Sequence, residues 1–146
     1  MKGKNHLITG IIFLTILFII DLFLGLVFYD KIINMHPALS IIAIYSFFAG
    51  VLLPDADKTN TWIFKFFFPY AIFAMFTSFI ISTMHGKKFR HRGITHTAQG
   101  IIITTTTSTI ISLLMLSIFI NPTLISAIIF FLAIITGQIL HLIFDF

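Results

Sequence analysis

The chain has 146 residues, 58% of them hydrophobic and only 10% charged, with a formal net charge of +4 and a mean hydropathy of +1.08. Soluble domains carry roughly 25% charged residues, so this composition excludes a water-soluble globule and implies a single domain, residues 1–146, of helices packed in lipid. Cysteine is absent, which excludes disulfides and thiolate metal sites; short basic loops on one membrane face account for the positive charge, and no nucleic-acid partner is expected.

Met1-Lys2-Gly3-Lys4 leads into a long apolar run from Leu7 to Phe28. The run exceeds the ~7–15 residues of a signal-peptide core and no small-residue cleavage site follows it, so a retained first span is expected. His6 sits at its mouth, and Gly10 one turn later leaves room beside it. Asp21 lies inside the run, either as part of a proton or ion relay or as an acid near the far interface; intramembrane acids face the bundle interior in either case. Asp30 to Pro37 reads as a polar loop. Leu39 to Leu53 is a short span or half-span, closed by Pro54, with Gly50 admitting a neighbouring helix. Thr61 to Met84 is apolar but holds Lys65 and Pro69, which predicts a broken, re-entrant or interfacial element. His85 to Thr95 is the basic tract. Ala98 to Ile120 is a span rich in threonine, whose hydroxyls are expected to serve helix packing rather than a pore. Asn121-Pro122 turns the chain into the last span, Thr123 to Phe144. The fold class expected is all-α, a polytopic membrane bundle of four to five apolar helices with one short or re-entrant.

Topology constrains this further. With the N-terminus in the cytoplasm, two crossings return Asp55 and Asp57 to that side, and the last two begin near His96 and end near Asp145. His91 shares that face only if Thr61 to Met84 crosses an even number of times. The arrangement puts Lys2, Lys4, Lys58, Lys87, Lys88, Arg90 and Arg92 inside, the positive-inside bias expected of a multi-pass protein.

Four clusters of metal-binding residue types end the apolar runs: His6; Asp55 and Asp57; His91 and His96; His141 and Asp145. Asp55 and Asp57 follow a helix-breaking proline and can turn toward one cation, or lie solvated in a loop. His91 and His96, five apart, would stand roughly 140° apart on a continuous helix. Gly93 relieves this by breaking the helix, so that His91 comes from a loop and His96 from a first helical turn behind a Thr95 N-cap. The alternative for this tract is a basic loop on lipid phosphates. His141 and Asp145 are i,i+4 on one face, which Gln138 extends by a turn, either as ligands or as a polar interhelical contact. His36 and His85 have no acidic company. Four imidazoles and three carboxylates exceed what one zinc takes and suit one or two divalent ions; nitrogen and oxygen donors fit Zn, Mn or Fe(II). Arg92 suits an anionic group, phosphate first.

His6-x3-Gly10, Gly50-x3-Pro54-Asp55-x-Asp57, His91-Arg92-Gly93-x-Thr95-His96 and His141-x3-Asp145, in that order, resemble the YdjM-like family. Those are membrane-bound proteins regarded as metal-dependent hydrolases and grouped with zinc-dependent phospholipase C and P1-type nucleases. The likeness covers nearly the whole chain. Such proteins usually continue past the last Asp with a Thr-Pro-type turn, and their connector between the second and third motifs is more polar than here.

The resemblance implies a metal-dependent hydrolase; the favoured reading is attack on a phosphoester, with a lipid-like substrate such as a head group expected because the site lies at the membrane interface. Its ligands would be Asp57, Asp55, His96, His91, His141, Asp145 and His6, with Asp57, His96 and Arg92 closest to the reaction. The competing readings are a metal-ion or proton transport or binding protein that also uses Asp21, and a structural membrane protein without catalysis. Membrane lipid is the partner expected in each.

Overall fold

The computed structural model describes residues 2–24, 36–55, 62–84 and 96–144. Among the described residues it is all-α: α1 Lys2–Leu24, α2 Pro37–Leu52, a 3-10 turn Leu53–Asp55, α3 Trp62–Phe66, α4 Phe68–Met84, α5 Ala98–Ser117 and α6 Leu124–Phe144.

Local chemistry explains the helix ends. His36 is the N-cap of α2, its Nδ1 accepting from the Ala38 amide at 3.3 Å, and Pro37 occupies the first helical position, where a missing N–H costs nothing. With that cap and the Leu53–Asp55 turn, the segment Pro37–Asp55 reaches 19 residues and is long and apolar enough to cross a membrane. The expected short or half-span is thus a full-length one, because the helix starts before the apolar run and a 3-10 turn carries it past Pro54. Ala98–Ser117 and Leu124–Phe144 qualify as well; Asn5–Asp21 and Phe68–Thr83 are shorter apolar helices. Thr123 caps α6 reciprocally with Ser126: each side chain accepts the other's backbone N–H, at 3.2 and 2.7 Å.

The break expected around Pro69 falls at Phe67, between α3 and α4. Proline cannot donate to the carbonyl four residues back, and its ring crowds that turn. The helical path persists through Phe67 N–H to Ile63 and Ala71 N–H to Phe67, while the Tyr45 hydroxyl donates to the Phe66 carbonyl at 2.6 Å.

α2 is the axial helix. It packs most extensively on α6 and also meets α5, α1 and α3, while α1, α6, α5, α4 and α3 follow one another around it. The α2–α6 crossing is as close as backbones allow. A methyl on Gly50 would overlap the Ile134 carbonyl oxygen, and one on Gly137 would overlap the Phe47 carbonyl oxygen and stand 2.7 Å from the Val51 nitrogen.

α5 is polar inside and apolar outside. Thr104, Thr105, Ser108, Thr109 and Ser112 are buried, whereas Ile102, Ile110 and Leu114 are exposed. That is the reverse of a soluble helix and the pattern of a bundle in lipid, where small hydroxyl residues let helices approach. With three helices of spanning length, it identifies a membrane protein. Thr104, Thr106, Thr107 and Thr109 donate to carbonyls of their own helix, one of the two kinds of bond expected of these hydroxyls.

At mid-bundle the hydroxyls of Ser46, Tyr70 and Ser112 meet in a triangle: Ser46 to Ser112 2.8 Å, Tyr70 to Ser112 2.9 Å, Ser46 to Tyr70 3.2 Å. Ser112 donates to the Ser108 carbonyl at 3.0 Å, so it accepts from the other two, which satisfies all three groups. Tyr70→Phe should therefore cost only about 0.6–1 kcal/mol in detergent unfolding, because the Ser46–Ser112 bond survives. Ser112→Val, which removes the shared acceptor, should cost visibly more.

Candidate functional site

Four described residues of the expected set come together at one end of the bundle, each delivered by a different element. His6 lies in the second turn of α1, Asp55 ends the 3-10 turn after α2, His96 precedes α5, and His141 occupies the last turns of α6. One ligand atom from each of His6, Asp55 and His141 lies within 4.8 Å of the other two. The rings of His6 and His141 are 4.1 Å apart by centroid, and those of His96 and His141 5.6 Å. His141 is 1% exposed, His6 6% and Asp55 9%.

The helix directions put these four ends on one side of the bundle. α2 and α6 run toward the shared end and α1 and α5 run away from it, so two C-terminal and two N-terminal turns converge. Gly10 contributes as expected: the space beside it is filled by the Phe48 ring and a Val51 methyl, 3.2 and 3.5 Å from where a Cβ would stand. This draws α1 onto α2 at the level of His6.

His141 is the best-determined member. Its Nδ1 lies 2.8 Å from the Val51 carbonyl, which can only accept, so Nδ1 carries the proton. In the neutral ring that leaves Nε2 with its lone pair, and Nε2 is buried without a hydrogen-bond partner among the described residues. A histidine oriented by a backbone carbonyl, with its other nitrogen bare, is how proteins present an imidazole to a metal. Donors about 2.1 Å from a tetrahedral ion stand about 3.4 Å apart, so the three ligand atoms need only draw in by roughly 1 Å to hold one.

One detail differs from expectation. The N-cap of α5 is Thr97, whose Oγ1 accepts from the Gly100 amide at 3.1 Å, not Thr95, and His96 stands in a 3-10 turn ahead of the helix rather than in its first turn. Thr97 is the residue with extended backbone directly before the helical run, which is what capping requires. Asp57, His91, Arg92, Gly93, Thr95 and Asp145 lie outside the described residues.

Two contributors escaped the sequence reading. The Val51 carbonyl carries no side-chain signature at all. Gly137 does carry one: it is four residues before His141, on the same helical face, the spacing that singled out Gly10 beside His6.

No family model, curated protein or solved structure matches this chain.

Proposed function

We propose that this chain is a membrane-embedded metal-dependent hydrolase acting on a phosphoester, such as a lipid head group, at one membrane face. The observation that carries the metal site is the convergence of His6, Asp55 and His141 from three elements, with the buried His141 Nε2 bare and aimed away from its Val51 anchor. The residues fit one or two Zn ions, with Mn or Fe(II) compatible with the same donors. His96 stands beside the trio, and Asp57, His91 and Asp145 complete the proposed ligand set. The motif order shared with the YdjM-like family supports the hydrolytic reading.

A bound divalent ion supplies an acidified water and a counter-charge for the phosphoryl oxygens. The protein's own part is to hold and orient. The Val51 carbonyl locks the His141 tautomer, Asp55 brings negative charge into a buried site where it favours a cation, and Arg92 is assigned to grip the phosphate through its planar fork. The scheme assigns Asp57 and His96 the roles nearest the reaction.

The site belongs on the cytoplasmic face. Asp55 and His96 share one end of the bundle, which supports an even number of crossings for the kinked α3–α4 segment; the positive-inside rule, applied to the basic sequence between α4 and α5, favours the cytoplasm for that end. Transport is less well supported. Leu39, Ile42, Leu116 and Phe130 form an apolar cluster that closes the interior beyond the hydroxyl triangle.

The test is metal content of detergent-purified protein by mass spectrometry, beside hydrolysis of bis-p-nitrophenyl phosphate. Wild type should carry one or two equivalents, and Asp55→Asn, Asp57→Asn and His96→Ala should lose metal and activity together. Asp21, fifteen residues along α1 from His6 and thus about 22 Å away, should be dispensable. Asp21→Asn is expected to keep full metal content and activity; loss of metal uptake by vesicles in that variant would favour transport instead. A folded wild type that takes up neither Zn nor Mn refutes the proposal.

A further inference from the structure

The Gln138 amide sits one turn below His141, 1% exposed, and bridges α6 to α5. Its Nε2 donates to Thr104 Oγ1 at 2.9 Å, and its Oε1 accepts from Thr105 Oγ1 at 2.9 Å. The orientation is dictated by the network. Thr104 spends its single hydroxyl proton on the Gly100 carbonyl at 2.7 Å, so toward Gln138 it can only accept, and the amide nitrogen must face it. Both ends of one side chain are therefore tied to consecutive residues of α5, which fixes α5 against sliding along α6 or turning on it.

α6 is itself immobile relative to α2, through the Gly50–Gly137 backbone contact and the His141–Val51 hydrogen bond. α5, which carries His96 just ahead of its first turn, has its site end tied to α6 by the Gln138 bonds to Thr104 and Thr105. We infer that Gln138 is a positioning residue for the metal site: by clamping Thr104 and Thr105 it sets the separation of His96 from His141 and so the affinity of the site. The inference rests on the proposed metal site, but its geometric part does not need a metal. Gln138 itself is no ligand, since both ends of its amide are engaged on the side of α5.

Two measurements test it. The first is Co(II) affinity and visible absorption for wild type, Gln138→Leu, Thr105→Val and Thr105→Ser. Outer partners that orient ligands typically change metal affinity by about 10–100-fold, and a loss in that range is expected for Gln138→Leu and Thr105→Val, with a changed absorption envelope. Thr105→Ser, which keeps the hydroxyl, should restore the wild-type affinity and spectrum. Variants that melt lower yet bind Co(II) with unchanged affinity and spectrum when folded would reduce Gln138 to a packing residue and overturn the inference.

The second uses His96→Cys with His141→Cys, the chain having no cysteine of its own. Cross-linking by a short bis-methanethiosulfonate should fall several-fold when Gln138→Leu is added. An equal yield overturns the inference whether or not wild type binds metal. A wild type that binds no Co(II) or Zn, with the cross-linking difference intact, would sink the metal proposal and leave Gln138 as the determinant of the His96–His141 spacing.

Discussion

Gly137→Ala is expected to destabilise the protein by about 3 kcal/mol or more, at or beyond the upper end of ordinary overpacking. The added methyl would meet the Phe47 carbonyl oxygen, the Val51 nitrogen at 2.7 Å and the Gly50 carbonyl carbon at 3.0 Å, all of them backbone. No rotamer change relieves such a contact; α2 and α6 must separate along their crossing. Gly50→Ala should behave alike, since its methyl would overlap the Ile134 carbonyl oxygen and stand 2.9 Å from the Ile134 Cα. The same separation draws His141 Nδ1 away from the Val51 carbonyl, so metal affinity should fall along with stability. Gly10→Ala is the control. Its methyl would meet only the Phe48 ring at 3.2 Å and a Val51 methyl at 3.5 Å, side chains that can shift, and a cost within about 1 kcal/mol is expected. Thermal unfolding of the three variants in one detergent measures the contrast; equal shifts for Gly10→Ala and Gly137→Ala would contradict this account of the crossing.

His141→Phe should abolish metal binding, lowering affinity by more than about 100-fold, beyond the range produced by losing an orienting partner alone. Phenylalanine carries a somewhat larger ring, so the buried space at 1% exposure stays filled and no cavity opens, at a modest overpacking cost. It removes the donor that the Val51 carbonyl now receives at 2.8 Å, which should cost about 1–3 kcal/mol. The bundle should therefore still fold, melting lower, and hold no metal. His36→Ala separates the two kinds of histidine. His36 caps α2 at the opposite end, and its loss should cost about 1 kcal/mol with metal content unchanged. A His141→Phe protein that retains its metal would mean that His141 is a structural core residue.

The helical bundle was legible because its cause is local. Apolar runs long enough for lipid, punctuated by Pro54, Pro69 and Pro122, leave the backbone few options other than helices broken at those points. The break came where Pro69 required it. The length of α2 was underestimated, because the apolar run alone does not reveal that His36 and Pro37 start the helix ahead of Leu39. His6, Asp55, His96 and His141 were legible as candidates because ionisable side chains at the ends of apolar runs are costly unless something uses them.

What the sequence determined by itself was the material: lipid-compatible helices, their approximate ends, and imidazole and carboxylate side chains at those ends. The convergence of four such ends depends on which helices neighbour one another, and that is decided by contacts between residues far apart in the chain. The Gly50–Gly137 approach puts α2 and α6 at backbone distance, and only then can the Val51 carbonyl reach His141, ninety residues on, and choose which nitrogen is left bare. A carbonyl is present in every residue and carries no signature in the sequence. Its role exists only once tertiary packing has put one imidazole against it.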